Sequence, residues 1–335
     1  MRTLARFFIV VLVIAGAGAF WLHWRLTTPY RAFTEPEVFV ELTPGTGVAE
    51  IARRLSEAGV VSDPYTFRFA VYRSGAGRRL QAGEYRFASS ATPGDVVARI
   101  ARGDVYKLPV TFREGLNIRE MAAIFEKSGL GTSDDFRRAA SDASRIAVLD
   151  PGATSLEGYL FPDTYPLPRH IGADGTIDLM VARFRHAFDG GLRDAASAMD
   201  MSMRDAVTLA SLVELEAQRP EERAVISGVF HRRLKLGMML QCDPTVVYAL
   251  EAAGRWTGSI HKADLQIDSP YNTYRYAGLP PGPIASPGRA SLDAAVHPAD
   301  VPYLYFVAKN DGTHAFASTL AEHNRNVELY VKKHR

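Results

Sequence analysis

Three stretches of the chain repeat one pattern of apolar and polar positions: a short alternating run, a turn or cap, then apolar residues three and four apart. The first runs from Val38-Phe39-Val40-Glu41-Leu42 through Thr43-Pro44-Gly45-Thr46-Gly47 into a helix over 48–58, with Val48, Ile51, Ala52 and Leu55 on one face. The second joins Glu84-Tyr85-Arg86-Phe87, by way of Ala91-Thr92-Pro93-Gly94, to a helix over 95–102 carrying Val96, Val97 and Ile100. The third joins Leu108-Pro109-Val110-Thr111-Phe112, by way of Glu114-Gly115, to a helix over 116–127 carrying Ile118, Met121, Ala122 and Phe125. One such strand and helix buries too little surface to stand alone, so the three are expected to pack together as one small α+β domain.

Upstream of them the alternation disappears. Phe7 to Leu22 is an uncharged run, reaching Trp24 if His23 is tolerated. At about 1.5 Å per residue it covers most of a hydrocarbon core of about 30 Å, with Trp21, Trp24 and Tyr30 near one interface. Arg2 and Arg6 precede it while Arg25 and Arg31 follow, so flanking charge does not orient it. The competing reading is a cleaved signal peptide ending near Ala17-Gly18-Ala19, against which bulky Phe20 and Trp21 follow at once. Both readings export the rest of the chain. Composition bounds that remainder: 335 residues, 47% hydrophobic and 23% charged, describe a packed protein with room for two domains. A net charge of +2 gives no ground for capture of nucleic acid. The single cysteine, Cys242, excludes an intrachain disulfide framework and a Cys-based zinc site.

Between residues 132 and 203 the periodic signal weakens. Glu157 to Tyr165 holds three aromatics and two acids around Pro162, which bars an ordinary helix, so it reads as an ordered loop or edge strand. The candidate chemistry begins after residue 200. A helix over 204–218 has Ala206, Leu209, Leu212 and Val213 as its apolar face and ends in two acids, Glu214 and Glu216, about 200° apart around the axis. Glu216 continues the stripe and is the expected inward acid, with burial raising its pKa toward that of a general acid. The alternative is that it only marks the helix end and bends into solvent. A packing helix runs from Pro220 to Gly237, with Val225, Val229, Phe230 and Leu236 inward. Next come the polar turn from Gly237 to Thr245, Ser269 to Tyr274, and the stiff Gly- and Pro-rich loop from Gly278 to Gly288. Tyr271, Tyr274 and Tyr276 are suited to stacking on sugar rings, and Gln241, Asp243 and Asn272 to bonding hydroxyls or amides; equally, this is a structural loop with buried tyrosines. His297, His314 and His323 are too widely spaced for a His-Glu-x-x-His metal motif, and no nucleophile elbow or phosphate loop is present. His314 falls in an expected hairpin turn, where it either orients a site residue or serves the turn alone.

The string Leu209-Ala210-Ser211-Leu212-Val213-Glu214-Leu215-Glu216, then Gly237-Met238-Met239-Leu240-Gln241-Cys242-Asp243-Pro244-Thr245, Tyr271-Asn272-Thr273-Tyr274, Gly278-Leu279-Pro280-Pro281-Gly282 and His297-Pro298, resembles the endolytic murein transglycosylase, or YceG-like, family. The match in order and spacing runs from about Leu209 to Tyr330, and it departs at Leu215, where a basic residue is expected, and at Cys242, where a Thr is. The resemblance implies an α+β protein in three parts. Residues 1–30 would be a cytoplasmic tip and transmembrane helix, 31–130 a small LysM-like α+β region, and 131–335 a larger mixed α+β catalytic domain. It further implies a single-pass protein of the bacterial inner membrane, anchored through residues 7–24. Its periplasmic domain would cut peptidoglycan glycan strands internally and leave 1,6-anhydro-N-acetylmuramic acid ends, beside peptidoglycan synthases. No cofactor and no metal are expected. The family's catalytic glutamate corresponds to Glu216. Going beyond the family match, Gln241, Asp243, Tyr271, Asn272, Tyr274 and Glu214 are the expected substrate-binding residues. The alternative is a non-catalytic peptidoglycan-binding scaffold of the cell-wall synthesis complex.

Overall fold

The computed structural model describes residues 2–331; Met1, at the tip of the expected anchor, and residues 332–335 of the expected catalytic domain lie outside the described residues. The chain divides into two compact units between Leu108 and Pro109.

The first unit opens with helix α1 (Arg2–Thr27). From Arg6 to Thr27 it is long and apolar enough to cross a membrane, and its most apolar stretch is wholly exposed, as a lipid-facing helix or a signal sequence would be. Only its end joins the protein: Leu26 is buried, Leu22 packs on the same core, and Arg25 pairs with Asp63 at 3.0 Å. Then follow β1 (Val38–Leu42), α2 (Val48–Glu57), α3 (Pro64–Ser74), β2 (Gly83–Phe87) and α4 (Pro93–Arg102). Strands β1 and β2 pair antiparallel with Val40 opposite Tyr85, so the alternating Val40, Leu42, Tyr85 and Phe87 all face one core. Ile51, Leu55, Phe67, Val96 and Ile100 complete it. Local chemistry sets the boundaries: Thr92 and Asp95 form a reciprocal cap at the start of α4, and Asp63 caps α3. The helix α3 has no single apolar stripe, since exposed Tyr65, Phe69 and Tyr72 alternate with buried Phe67 and Val71.

The third strand-and-helix repeat falls, from Pro109 on, in the second unit, whereas the first two lie in the first. Strand β3 (Leu108–Phe112) pairs instead with β4 (Asp163–Leu167), which the chain reaches through α5 (Ile118–Lys127) and α6 (Ser133–Ala140). Aromatic burial decides the pairing: Phe112 packs on Phe136 and on Tyr165, and Phe125 on Phe136, with ring centroids 5.2–6.1 Å apart. Strand β4 begins directly after Pro162, in keeping with the strand reading of that segment.

The second unit continues with α7 (Gly172–Ala187), α8 (Gly190–Ala198) and α9 (Met203–Glu216). A 3-10 turn at Pro220–Glu222 leads to α10 (Arg223–Lys235), α11 (Asp243–Ala252) and α12 (Arg289–Val296). The strands β5 (Tyr305–Ala308) and β6 (His314–Ala317) and helix α13 (Leu320–Tyr330) close it. At the centre lies α9, packed by α8, α10, α11 and α12, and every residue from Ala206 to Val213 is buried. Leu236, expected on the inner face of α10, is exposed instead, because that helix turns Ile226, Phe230 and Arg233 inward. Strands β5 and β6 form an antiparallel hairpin with Ala308 opposite His314; Asn310 and Gly312, both at positive φ, make the turn, and His314 opens the second strand.

Candidate active site

Glu216 is the last residue of α9, because Ala217 leaves the helical region at ψ 103°. The carboxyl end of Glu216 opens on a cleft of about 570 Å³, shared with Arg233, Gln241, Asp243, Tyr274, His314 and the hairpin and α13 residues Tyr305 and His323. The residue as a whole is half-buried, yet its carboxyl group is crowded by protein, and this loss of hydration holds its pKa above the ordinary carboxylate value. Three neighbours modulate that effect. The Cys242 thiol donates to Oε1 at 3.2 Å and favours the ionised form, Asp243 opposes ionisation, and a charge on His314 favours it. Cys242 is itself buried, and burial together with the Glu216 charge pushes its thiol far up, so it remains a hydrogen-bond donor.

The turn that presents these groups is bolted in place. Gln241 holds a left-handed backbone at φ 52°, and its N–H donates to Thr273 O at 3.1 Å. Cys242 N–H donates to Thr273 Oγ1, Thr245 Oγ1 donates to Cys242 O, and the two threonine hydroxyls lie 2.9 Å apart. Asp243 then starts α11, with Pro244 in its first turn. The Tyr274 hydroxyl donates to Asp243 Oδ1 at 2.5 Å. Arg233 lies beneath Tyr305, 5.1 Å from the ring centroid. Its Nε donates to Leu304 O and its Nη1 to Met239 O and Leu240 O, so backbone carbonyls rather than a carboxylate hold this buried cation.

The structure thus brings Glu216, Gln241, Asp243 and Tyr274 together on one cleft, whose lining does not include Glu214, Tyr271 or Asn272. Glu214, on the side of α9 away from the apolar stripe and expected among the substrate-binding residues, has a side chain only 6% exposed; it pairs with Arg223 at 3.4 Å and accepts the Gly288 N–H at 2.9 Å. The physical reason is that α9 is buried all round, so a position off the apolar stripe is still interior. Asn272 is fully buried, with Nδ2 donating to Leu265 O and Ile267 O and Oδ1 accepting from Tyr274 N–H, which commits its amide to the loop. Tyr271 packs on Tyr248, ring centroids 4.9 Å apart, beside a small cluster with Val246 and Leu250. Tyr276 is exposed and bonds Asp268. Of these three, Asn272 alone is fully buried in the loop, while Tyr271 is half-buried and Tyr276 exposed.

Arg233 and Tyr305 were not singled out by sequence, and His323 was considered only as a metal ligand and set aside on its spacing. A base in the last turn of a helix reads as a partner for the helix dipole, and nothing in the sequence turns Arg233 inward. On the other side of Asp243 lies a groove of about 280 Å³, lined by Asn117, Glu120, Tyr248 and Glu251. A neighbouring recess is lined by Glu157, whose burial pushes its pKa up to about 8 although it accepts the Ile118 N–H and the Tyr248 hydroxyl. Among the described residues, no group of three or more His, Cys, Asp or Glu is placed to hold a metal ion.

The sequence model of the YceG-like family matches residues 40–329. A protein of Bacillus subtilis (strain 168) named endolytic murein transglycosylase is 33% identical over 330 residues, covering 94% of this chain and 90% of the relative. A protein of the same name from Streptococcus pneumoniae serotype 2 is 30% identical over 361 residues, covering 97% of this chain but 64% of that longer protein. Among solved structures, that of a yceG-like protein from Listeria monocytogenes matches with a TM-score of 0.60 and 30% identity, over 87% of this chain and 98% of that one.

Proposed function

Because the chain belongs to the YceG-like family, we propose that it is an endolytic lytic transglycosylase of peptidoglycan, with Glu216 as its single acid and base. The observation that carries this reading is a desolvated carboxyl group at the foot of a cleft, hydrogen-bonded by a thiol that cannot serve as its base. A carboxyl group so placed remains protonated nearer neutrality than an ordinary glutamate, as a general acid must. Glu216 donates its proton to the glycosidic oxygen between N-acetylmuramic acid and N-acetylglucosamine as positive charge develops at the sugar's anomeric carbon. The resulting carboxylate then takes the proton from the C6 hydroxyl of the same muramic acid while that oxygen closes on the anomeric carbon. One C–O bond breaks, one forms, the proton count on Glu216 is restored, and no water is consumed. Gln241, Asp243 and Tyr274 line the same cleft and serve as the polar and stacking contacts of the sugars.

The wider setting belongs to the same proposal. Helix α1 anchors the chain in the cell inner membrane as a single pass, the second unit works on glycan strands in the periplasm beside peptidoglycan synthases, and the first unit is a LysM-like spacer or strand holder. A second reading has a specific basis: Asp243 puts a second carboxylate on the cleft, the arrangement a hydrolase uses to activate water. Digestion of uncrosslinked glycan strands by the full chain, with mass spectrometry of the ends, separates the readings. Anhydro-ended internal fragments that vanish with Glu216→Gln support the transglycosylase. Reducing ends would instead assign a two-carboxylate hydrolase, and binding without cleavage by the folded wild type would leave a scaffold.

A further inference from the structure

Glu222, in the 3-10 turn that follows α9, grips His314 twice. One carboxylate oxygen accepts the His314 backbone N–H at 3.0 Å and the other lies 2.7 Å from Nδ1. The two side chains are 12% and 6% exposed, so bulk water does not compete for these bonds. A carboxylate on Nδ1 fixes both the tautomer and the rotation of an imidazole. The edge-on ring of Phe306, 5.4 Å away at 87°, holds the ring from the side. The opposite nitrogen, Nε2, has no hydrogen-bond partner among the described residues, and the ring forms part of the wall of the cleft that Glu216 floors.

We propose that His314 is a second working group of the cleavage reaction: clamped by Glu222, it offers Nε2 to the sugar seated over Glu216, and its positive charge, when the ring is protonated, stabilises the carboxylate that Glu216 becomes after giving up its proton. This rests on the assignment of Glu216 made above. The direction of the electrostatic effect agrees, since a charge on His314 favours the ionised form of Glu216. Other groups act on the same ring. They are Glu222 in the 3-10 turn, Glu216 at the end of α9 and Asp243 at the start of α11, with Arg233 and His323 facing the cleft from α10 and α13. A residue that merely pinned the hairpin to the turn would need only the bond to the backbone N–H, with no need of an imidazole in the cleft wall.

The test is cleavage of uncrosslinked glycan strands by the full chain across pH, for wild type, His314→Gln, His314→Ala, Glu222→Gln and Glu216→Gln, alongside thermal melts. The expected result for His314→Gln is a kcat lower by about 10- to 100-fold with KM little changed. The alkaline limb of its pH profile moves to higher pH, because the charge that eased ionisation of Glu216 is gone. Glu222→Gln keeps an acceptor for the ring but loses the charge, and gives a smaller loss in the same direction. A kcat within about twofold of wild type, or a loss with the alkaline limb unmoved, overturns the proposal. Should both His314 variants unfold, Glu222→Gln decides on the same limb. If Glu216→Gln still cuts, the assignment of Glu216 has failed; if it is inactive while His314→Gln behaves as wild type, only the role of His314 has.

Discussion

Glu214 and Glu216 are two residues apart on one helix, and the structure gives them different work, so Glu214→Gln is the sharpest perturbation available. The Glu214 carboxylate pairs with Arg223 at 3.4 Å, accepts the Gly288 N–H at 2.9 Å and lies near a second carboxylate, Glu114, whose ionisation its charge opposes, with the Glu214 and Arg223 side chains 6% and 15% exposed. Removing one member of a fully buried pair costs about 3–5 kcal/mol. The cost here is smaller, because the pair makes a single long contact, Arg223 keeps a bond to Ser291 Oγ, and the amide still accepts from Gly288. We expect a loss of about 2–3 kcal/mol for Glu214→Gln, and about 1–3 kcal/mol more for Glu214→Ala, which also strands the Gly288 N–H. In a unit of this size 1 kcal/mol lowers Tm by about 2–4 °C, so the glutamine variant should melt roughly 4–12 °C below wild type. Strand cleavage well below that melt should persist. Calorimetry and a cleavage assay on the same preparations give both quantities. A melt unchanged to within the scatter, with cleavage abolished, would refute the reasoning and return Glu214 to the substrate site.

Two further outcomes follow from the buried ionisable groups. Glu157 has an ordinary value near 4.5 when unfolded and is pushed up to about 8 when folded, so the folded state holds an extra proton between those values. Its contribution to stability is therefore complete below about pH 4.5, declines as pH rises and is gone above about 8, a slope worth on the order of a few kcal/mol. Glu157→Gln should flatten Tm against pH in that window, and an unchanged slope would show that another group sets it. Cys242→Ala removes a hydrogen bond that favours ionised Glu216, so the alkaline limb of cleavage should move to higher pH. A limb that moves down or not at all would mean that the thiol does not tune this carboxyl group.

What the sequence alone determined is local. The reciprocal cap of Thr92 and Asp95, the alternation of Val40 and Leu42, and the apolar spacing in α2, α4 and α5 depend on residues within one turn or one strand, so periodicity exposes them. The acid at the end of α9 and the cleft residues Gln241, Asp243 and Tyr274 were legible for the same reason, as motif residues beside a helix end or in a stiff turn. Tertiary structure alone decided partners. That β3 pairs with β4 rather than with β1 or β2 was settled by aromatic rings brought together from Phe112, Phe125, Phe136 and Tyr165. That Glu214, off the apolar stripe, is nevertheless interior was settled by neighbours on every side of α9. The fully spent amide of Asn272, the carbonyl cage of Arg233 and the clamp of Glu222 on His314, 92 residues away, are equally out of reach of spacing. A side chain's burial is written in its own hydrophobicity, but its hydrogen-bond partner is chosen by whatever distant segment the fold delivers.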